Sequence, residues 1–297
     1  MNHYRRWITV FRLHTLSASY IPVTFGTLYA YYQKAVFDLP LFFAMLFASV
    51  LIQMSTNLFN DYFDYQRGID QADSVGKSTA LVTGEIKPNT IMILALTFIA
   101  FSGLLGLFIV SQAGLVIALI GAASILVGFF YSAGPHPISA TAFGELFAGF
   151  FMGHVIIGIS YFIQTDHYDM AIFLVSIPFA LLIASLLTAN NIRDLDEDTQ
   201  GGRKTLAILL GKEKAILFLK ITAWIAYLLI PLFVYLSFLP VYALIVFISA
   251  AKINKAALIF TKNHTPQTMA PAMGQIAKNN VHFGLLMILS LIAAILF

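Results

Sequence analysis

Apolar runs of about 20 residues, separated by short polar stretches, fill the chain almost from end to end. A run of that length is enough to cross a hydrocarbon layer as a helix. The pattern predicts nine spans, at roughly 15–33, 39–60, 90–110, 113–131, 143–163, 170–189, 216–236, 239–253 and 277–297. The eighth is short and the ninth opens on polar residues. Segment 1–14 is polar, basic and aromatic, and is predicted to lie along the membrane interface rather than to bring Arg12 or His14 to a substrate. Lys87-Pro88-Asn89-Thr90 predicts a helix start, and Arg203 to Leu210 a short helix after a Gly201-Gly202 turn.

Two polar stretches interrupt this pattern. The first runs from Asn57 through Asn60, Asp61 and Asp64 to Arg67-Gly68-Ile69-Asp70 and Asp73. The second runs from Asn190-Asn191 through Arg193-Asp194 and Asp196-Glu197-Asp198 to Gly201-Gly202-Arg203-Lys204-Thr205. Together they hold eight of the fourteen acids. Asn57, Asp61 and Asp64 stand at i, i+4, i+7, and Asn190, Asp194 and Asp198 at i, i+4, i+8, so each set shares a helix face. A shift of 133 positions lays Asn57 on Asn190, Asp61 on Asp194 and Gly68 on Gly201, a short internal repeat.

Clustered carboxylates repel one another unless a cation lies between them. Asp and Asn oxygens suit Mg²⁺, which takes one or two carboxylates, several waters and substrate phosphates. Asn57, Asn60, Asp61, Asp64, Asn190, Asp194 and Asp198 are the candidate metal ligands. Arg67, Lys77, Arg193, Arg203 and Lys204 are the candidate diphosphate contacts. The alternative, solvated charges at helix ends, suits one such cluster better than two matching ones.

Composition agrees with a membrane protein. The 297 residues are 59% hydrophobic and 10% charged, with mean hydropathy +0.85, against about 25% charged in soluble domains. There is no cysteine, so disulfides play no part. The net charge of +3 belongs to loop lysines and arginines rather than to a nucleic-acid surface. No cleavable signal, low-complexity segment or linker is visible, which predicts a single membrane domain over 1–297, with cap loops at 62–89 and 199–215. With nine spans and the N-terminus inside, every Lys and Arg except Lys34 falls at the inner side. That topology puts both acidic stretches at the cytoplasmic ends of spans two and six, in the cell (inner) membrane.

Three further residues are candidates for chemistry. Tyr131 ends span four before Gly134-Pro135-His136-Pro137, and Glu145 opens span five. With Asp70 they form the set of acids and phenols able to deprotonate an acceptor hydroxyl. His154, nine residues after Glu145, is placed on the same face, and is expected to be a structural hydrogen-bonder. The glycines Gly121, Gly128, Gly149, Gly153 and Gly158 are expected to allow close helix packing. No P-loop, dinucleotide fingerprint, zinc spacing or nucleophile triad is evident, which favours metal-assisted chemistry on a phosphate leaving group. A transporter would more typically carry its charges mid-span.

At these residues the chain resembles the UbiA superfamily of intramembrane prenyltransferases. Asn60-Asp61-Tyr62-Phe63-Asp64 is similar to its first aspartate-rich motif and Asp194 to Asp198 to its second. Gly68 stands where the commoner pattern has a third acid, and no arginine lies near position 79. Arg67-Gly68-Ile69-Asp70, Tyr131 to Ile138 with Phe143-Gly144-Glu145-Leu146, and Asn190 to Asp194 with Arg203 to Ala207 resemble the branch that acts on 1,4-dihydroxy-2-naphthoate.

The resemblance implies an all-α integral membrane protein of nine transmembrane helices around a central cavity with a cytoplasmic cap. It implies Mg²⁺ as cofactor and polyprenyl diphosphate and an aromatic acceptor as partners. The allylic C–O bond would ionise, and a ring carbon of the acceptor would attack with loss of CO₂, giving demethylmenaquinol. Other acceptors of the superfamily, such as 4-hydroxybenzoate or homogentisate, are the alternative.

Overall fold

The computed structural model describes residues 3–69 and 79–297. Among these there is no β-strand. Eight helices are long and apolar enough to cross a membrane: Leu39–Gln66, Pro88–Ala113, Leu115–Ser132, Gly144–Thr165, Met170–Arg193, Lys212–Tyr235, Val241–Lys262 and Pro266–Leu296. Ser17–Lys34 is a further 18-residue helix that packs between Ile156–Thr165 and Pro266–Leu296 but is not among those eight. Each expected span therefore has a helix, and the chain is an integral membrane protein.

Boundaries follow local chemistry. Asp38 caps Leu39–Gln66 by accepting from Leu41 N, and Asp169 caps Met170–Arg193 by accepting from Ile172 N. Pro88 opens its helix at the position where a missing N–H costs nothing. The fourth span ends at Ser132, just before the Gly-Pro-His-Pro run. The last helix begins at Pro266, well before the expected 277, because Thr265 and Thr268 form a reciprocal capping box. Its polar residues have partners across helices: Tyr227 Oη donates to Asn279 Oδ1 at 2.9 Å, and Asn280 Nδ2 donates to Leu182 O at 2.7 Å. Val241–Ser249 is a 3₁₀ stretch that leads into Ala251–Lys262, so the short eighth span is a full-length rod.

Leu39–Gln66 has 28 residues, about 42 Å at 1.5 Å per residue. The hydrocarbon layer is about 30 Å thick. Its last two turns or so therefore project beyond the apolar layer, and Asn60, Asp61 and Asp64 lie there, on the helix rather than in the loop after it. Large aliphatic side chains face outward from the rods, among them Leu96, Leu104, Leu115, Leu119 and Leu126, all more than half exposed. Within the ring of rods lies a cavity of about 610 Å³.

The glycines divide by role. A Cβ at Gly149 would stand 2.6 Å from Ala180 O, and one at Gly153 2.4 Å from Ala180 Cα, so these two do allow close packing of Gly144–Thr165 on Met170–Arg193. Gly158 instead faces the ring of Tyr168, Gly128 faces Thr56, and Gly121 faces open space. The packing expectation therefore fails at Gly121. It fails because that residue lines the cavity.

Candidate active site

The two acidic stretches meet at one end of the cavity. Asp61 and Asp64 are 2% exposed, Asp198 1% and Asp194 7%. Burying four carboxylates costs several kcal/mol each unless they are paired, and each lies against a guanidinium. Arg203 joins the two stretches, with Nη2 at 2.7 Å from Asp64 Oδ1 and Nη1 at 3.1 Å from Asp198 Oδ1. Arg193 makes a fork on Asp194, with Nε to Oδ1 at 2.6 Å and Nη2 to Oδ2 at 2.7 Å. Arg12 donates from Nη2 to Asp61 Oδ1 and to Asn60 Oδ1, the latter at 3.2 Å.

The local backbone explains why Asp64 and Asp198 come together. Ile69 N donates to Asp64 O, and Arg203 N donates to Asp198 O, so each aspartate sits in the last turn of a helix closed by a five-residue wrap. The glycine four residues on carries the left-handed conformation in both, Gly68 at φ +67 and Gly202 at φ +72. The structural repeat thus runs at an offset of 134 for this turn, not 133, and pairs Gly68 with Gly202 rather than Gly201. The extra residue is absorbed at Asp194, where Met170–Arg193 ends and Leu195–Gln200 begins. The second stretch is therefore two helices joined at Asp194, not one face of a single helix. The two closures abut, since a Cβ at Gly201 would stand 3.8 Å from Ile69 Cγ1.

The remaining candidates separate into those on the cavity and those off it. Asn57, Asn60, Asp64, Asn190, Asp194, Asp198, Arg193, Arg203 and Tyr131 line it. Asn57 Nδ2 also holds the N-terminal segment through Thr15 Oγ1 at 3.0 Å, and Asn60 Nδ2 donates to Asp64 Oδ2 at 3.2 Å. Arg67 stands at the edge of the site: its Nη1 is 3.6 Å from Asp64 Oδ1, while its Nη2 donates to the carbonyls of Ser132, at 2.6 Å, and Gly134, at 2.9 Å. It braces the loop after the fourth span more than it faces the cavity. Lys204 is exposed and does not line the cavity; its backbone N donates to Ala140 O at 2.8 Å. Glu145 is 3% exposed and stands behind the wall, its Oε1 accepting from Asn191 Nδ2 at 2.8 Å. Asp70 and Lys77 lie outside the described residues.

His154 is not on the face of Glu145. Nine residues at 3.6 per turn is two and a half turns, the opposite side, and a π-helical stretch, Gly149–Val155, lies between them. His154 meets Ser176 Oγ through Nδ1 at 2.5 Å and Tyr168 Oη through Nε2 at 2.8 Å, the structural bonding expected of it. Burial and the charge of Asp169 raise the pKa of Tyr168, which lies in the connection after this rod.

Arg12 is the site residue that the sequence reading set aside. It occupies a break between His3–Val10 and the 3₁₀ turn Leu13–Thr15, at φ +47. The available signal was a single arginine between Phe11 and Leu13, immediately before an apolar run and on the same predicted side as the acids.

The donor set fits a hard divalent cation. The cavity wall offers Asp and Asn oxygens, with no imidazole among its lining residues and no cysteine in the chain. Among the described residues Asn190 Oδ1 is buried there with no hydrogen-bond partner, an oxygen of the kind a hard cation takes. Among the described residues no three acidic or histidine side chains converge as a ready cage, and each of the four carboxylates is in contact with an arginine. The rest of the lining is mostly apolar and small, with Gly103, Gly106 and Gly121, and also carries the rings of Phe147 and Phe151.

An all-helical membrane ring, with paired acidic stretches and arginines over an apolar cavity, is the architecture of an intramembrane prenyltransferase. Residues 19–292 match the UbiA prenyltransferase family, and the chain belongs to it. The 1,4-dihydroxy-2-naphthoate octaprenyltransferase of Bacillus subtilis (strain 168) is 43% identical over 281 residues, covering 95% of this chain and 90% of that protein. The Escherichia coli (strain K12) protein of the same name is 24% identical, covering 96% and 94%. Among solved structures, a UbiA homolog from Archaeoglobus fulgidus bound to GPP and Mg²⁺ shares the fold with TM-score 0.60 and 18% identity, covering 95% and 99%. The apo structure of a homolog from Aeropyrum pernix K1 does so with TM-score 0.72 and 15% identity, covering 93% and 98%.

Proposed function

We propose that this prenyltransferase moves a polyprenyl group from polyprenyl diphosphate to 1,4-dihydroxy-2-naphthoate, releasing diphosphate and CO₂ and giving demethylmenaquinol for menaquinone biosynthesis. The single observation that carries the donor half is the guanidinium of Arg203 spanning Asp64 and Asp198. It brings carboxylates from both stretches to one point at the mouth of an apolar cavity, as a diphosphate head with a long tail requires. The acceptor half rests on the name and 43% identity of the Bacillus subtilis relative.

Asn57, Asn60, Asp61 and Asp64 on one side, and Asn190, Asp194 and Asp198 on the other, would hold Mg²⁺. When bound, Mg²⁺ neutralises charge on the departing diphosphate. Arg12, Arg193 and Arg203 bind the phosphate oxygens, and Lys77 is retained as a candidate for the same task. The apolar wall receives the tail, with Gly103, Gly106 and Gly121 leaving room beside it, since a Cβ at any of them would meet nothing within 4 Å. The allylic C–O bond breaks and its electron pair leaves with the diphosphate. Phe147 and Phe151 flank the cavity where the allylic cation must be shielded from water. A ring carbon of the naphthoate attacks that cation, and its carboxylate carbon leaves as CO₂.

Tyr131, on the cavity wall, is the residue proposed to meet an acceptor hydroxyl. Glu145 acts through Asn191 rather than on the acceptor itself, and Asp70 is retained as a candidate base. The Lys and Arg distribution orients the site and the N-terminus to the cytoplasm of a cell membrane.

The test is a transfer assay on the purified chain in lipid. It contains Mg²⁺, a long-chain prenyl diphosphate and either 1,4-dihydroxy-2-naphthoate or 4-hydroxybenzoate, with products read by mass spectrometry. Prenylated naphthoquinol, formed only with Mg²⁺, is the expected product. Prenylated hydroxybenzoate alone would overturn the acceptor assignment and leave the donor site standing.

A further inference from the structure

The cations and anions of this site are spent on one another. Asp61 is held by Arg12, while Asp64 and Asp198 share Arg203. These carboxylates are the groups that a divalent cation needs, and these guanidiniums are the groups that a diphosphate needs. A guanidinium in hydrogen-bond contact with a carboxylate oxygen blocks that oxygen and repels an incoming cation. An anion approaching an arginine already paired to a buried carboxylate meets a neutralised partner.

The two arginines also sit outside the long helices, at breaks between short ones. Arg12 lies in the break between two short helices, and Arg203 follows Gly202 and precedes the helix Leu206–Leu210. Their side chains are 16% and 10% exposed, at the edge of the cavity. Arg193, by contrast, lies inside Met170–Arg193, with its guanidinium fixed on Asp194 and Met273 Sδ.

We propose that Arg12 and Arg203 are exchange residues. Each is the counter-ion of an acidic-stretch carboxylate in the metal-free protein, and each passes to the diphosphate when the divalent cation takes that carboxylate. Metal and diphosphate then bind with positive coupling, because each frees the partner that the other needs. Either one alone binds weakly. This rests on the reading that the paired acidic stretches take a divalent cation.

The sign of the consequence separates this from ordinary phosphate binding. Removing an arginine weakens diphosphate binding but tightens metal binding. The experiment measures Mn²⁺ affinity of the full chain in detergent by electron paramagnetic resonance, with no diphosphate present. It also measures binding of radiolabelled geranyl diphosphate with and without Mg²⁺. The proteins are the unaltered chain, Arg12→Gln, Arg203→Gln, Arg203→Lys and Asp64→Asn.

The expected result is Mn²⁺ binding several-fold tighter in both glutamine variants and near unaltered in Arg203→Lys, which keeps the charge. Geranyl diphosphate should bind at least tenfold more weakly to both glutamine variants at saturating Mg²⁺, and its affinity for the unaltered chain should rise at least tenfold with Mg²⁺. Thermal melting of Arg203→Gln should rise more on adding Mn²⁺ than that of the unaltered chain, since Asp64 and Asp198 then lose the guanidinium they share. Mn²⁺ affinity unchanged or weaker in both glutamine variants would overturn the exchange. If Arg203→Gln fails to fold, Arg12→Gln decides alone. Absence of saturable Mn²⁺ binding to the unaltered chain, or binding that Asp64→Asn does not weaken, would overturn the underlying metal reading instead.

Discussion

The contact between Gly144–Thr165 and Met170–Arg193 sets the position of half the active site, and Gly153→Ala tests it. The new Cβ would stand 2.4 Å from Ala180 Cα, 2.5 Å from Ala180 N and 2.9 Å from Phe179 C. Carbon atoms pack best at about 3.5–4.0 Å, so the shortfall is about 1 Å or more. All three neighbours are backbone atoms of a helix, so no side-chain rotation relieves the clash and the two rods must separate. Overpacking of this kind costs about 1–3 kcal/mol, and backbone neighbours place this case at the upper end. The displaced rod carries Asn190, Asn191, Arg193 and Asp194, and a misplacement of about 1 Å at a reacting site can cost about 100-fold in rate. The assay is thermal melting in detergent together with prenyl transfer well below the melting temperature. Gly149→Ala, at 2.6 Å from Ala180 O, should fall with it. Gly158→Ala meets only the Tyr168 ring, which can turn, and should fall less; Gly121→Ala meets nothing within 4 Å and should not fall. A Gly153→Ala protein as stable and active as Gly121→Ala would refute the packing argument.

Three other outcomes are expected. Glu145→Gln keeps an oxygen for Asn191 Nδ2 and should retain most of its turnover, whereas Glu145→Ala leaves Asn191 unpaired at a cost of about 1–3 kcal/mol; loss of more than 100-fold in Glu145→Gln would make Glu145 the base after all. Gly121→Phe places a ring in the open cavity, so transfer from long-chain donors should drop while geranyl diphosphate is still used, as competition between the two donors would show; an equal loss for both would remove the tail from this wall. Tyr131→Phe takes a hydroxyl from the cavity wall and should raise the acceptor KM with donor binding unchanged; weakened donor binding instead would place Tyr131 on the diphosphate.

The spans and both acidic stretches were legible because each depends on local pattern. Asp38, Asp169 and Pro88 mark helix starts by chemistry that neighbouring residues decide. Asn57, Asp61 and Asp64 were legible because periodicity puts them on one face of Leu39–Gln66, whereas the second set is split by the joint at Asp194. What escaped depended on contacts distant in sequence or on small changes of helical pitch. Arg12 reaches Asp61 across 49 positions, and its one local mark, an arginine just ahead of an apolar run, does not name that partner. A uniform 3.6-residue period already sets His154 opposite Glu145, and the π-helical stretch Gly149–Val155 changes the angle again. The joint at Asp194 absorbs one residue and shifts the matching glycine from Gly201 to Gly202. Charge beside acids does not tell how a cation is shared: Arg67 divides between Asp64 and the backbone carbonyls of Ser132 and Gly134, and Lys204 is exposed.

The central claim is that both acidic stretches act on one leaving group. The most direct measurement is release of diphosphate from radiolabelled prenyl diphosphate, with Mg²⁺ and acceptor present, by Asp61→Asn, Asp64→Asn, Asp194→Asn and Asp198→Asn. All four should lose at least about 100-fold, and Asp64→Asn combined with Asp198→Asn should lose little more than either alone, as expected of groups acting as a unit. Full activity after removal of either stretch's carboxylates, or fully additive losses between the two, would contradict a shared site.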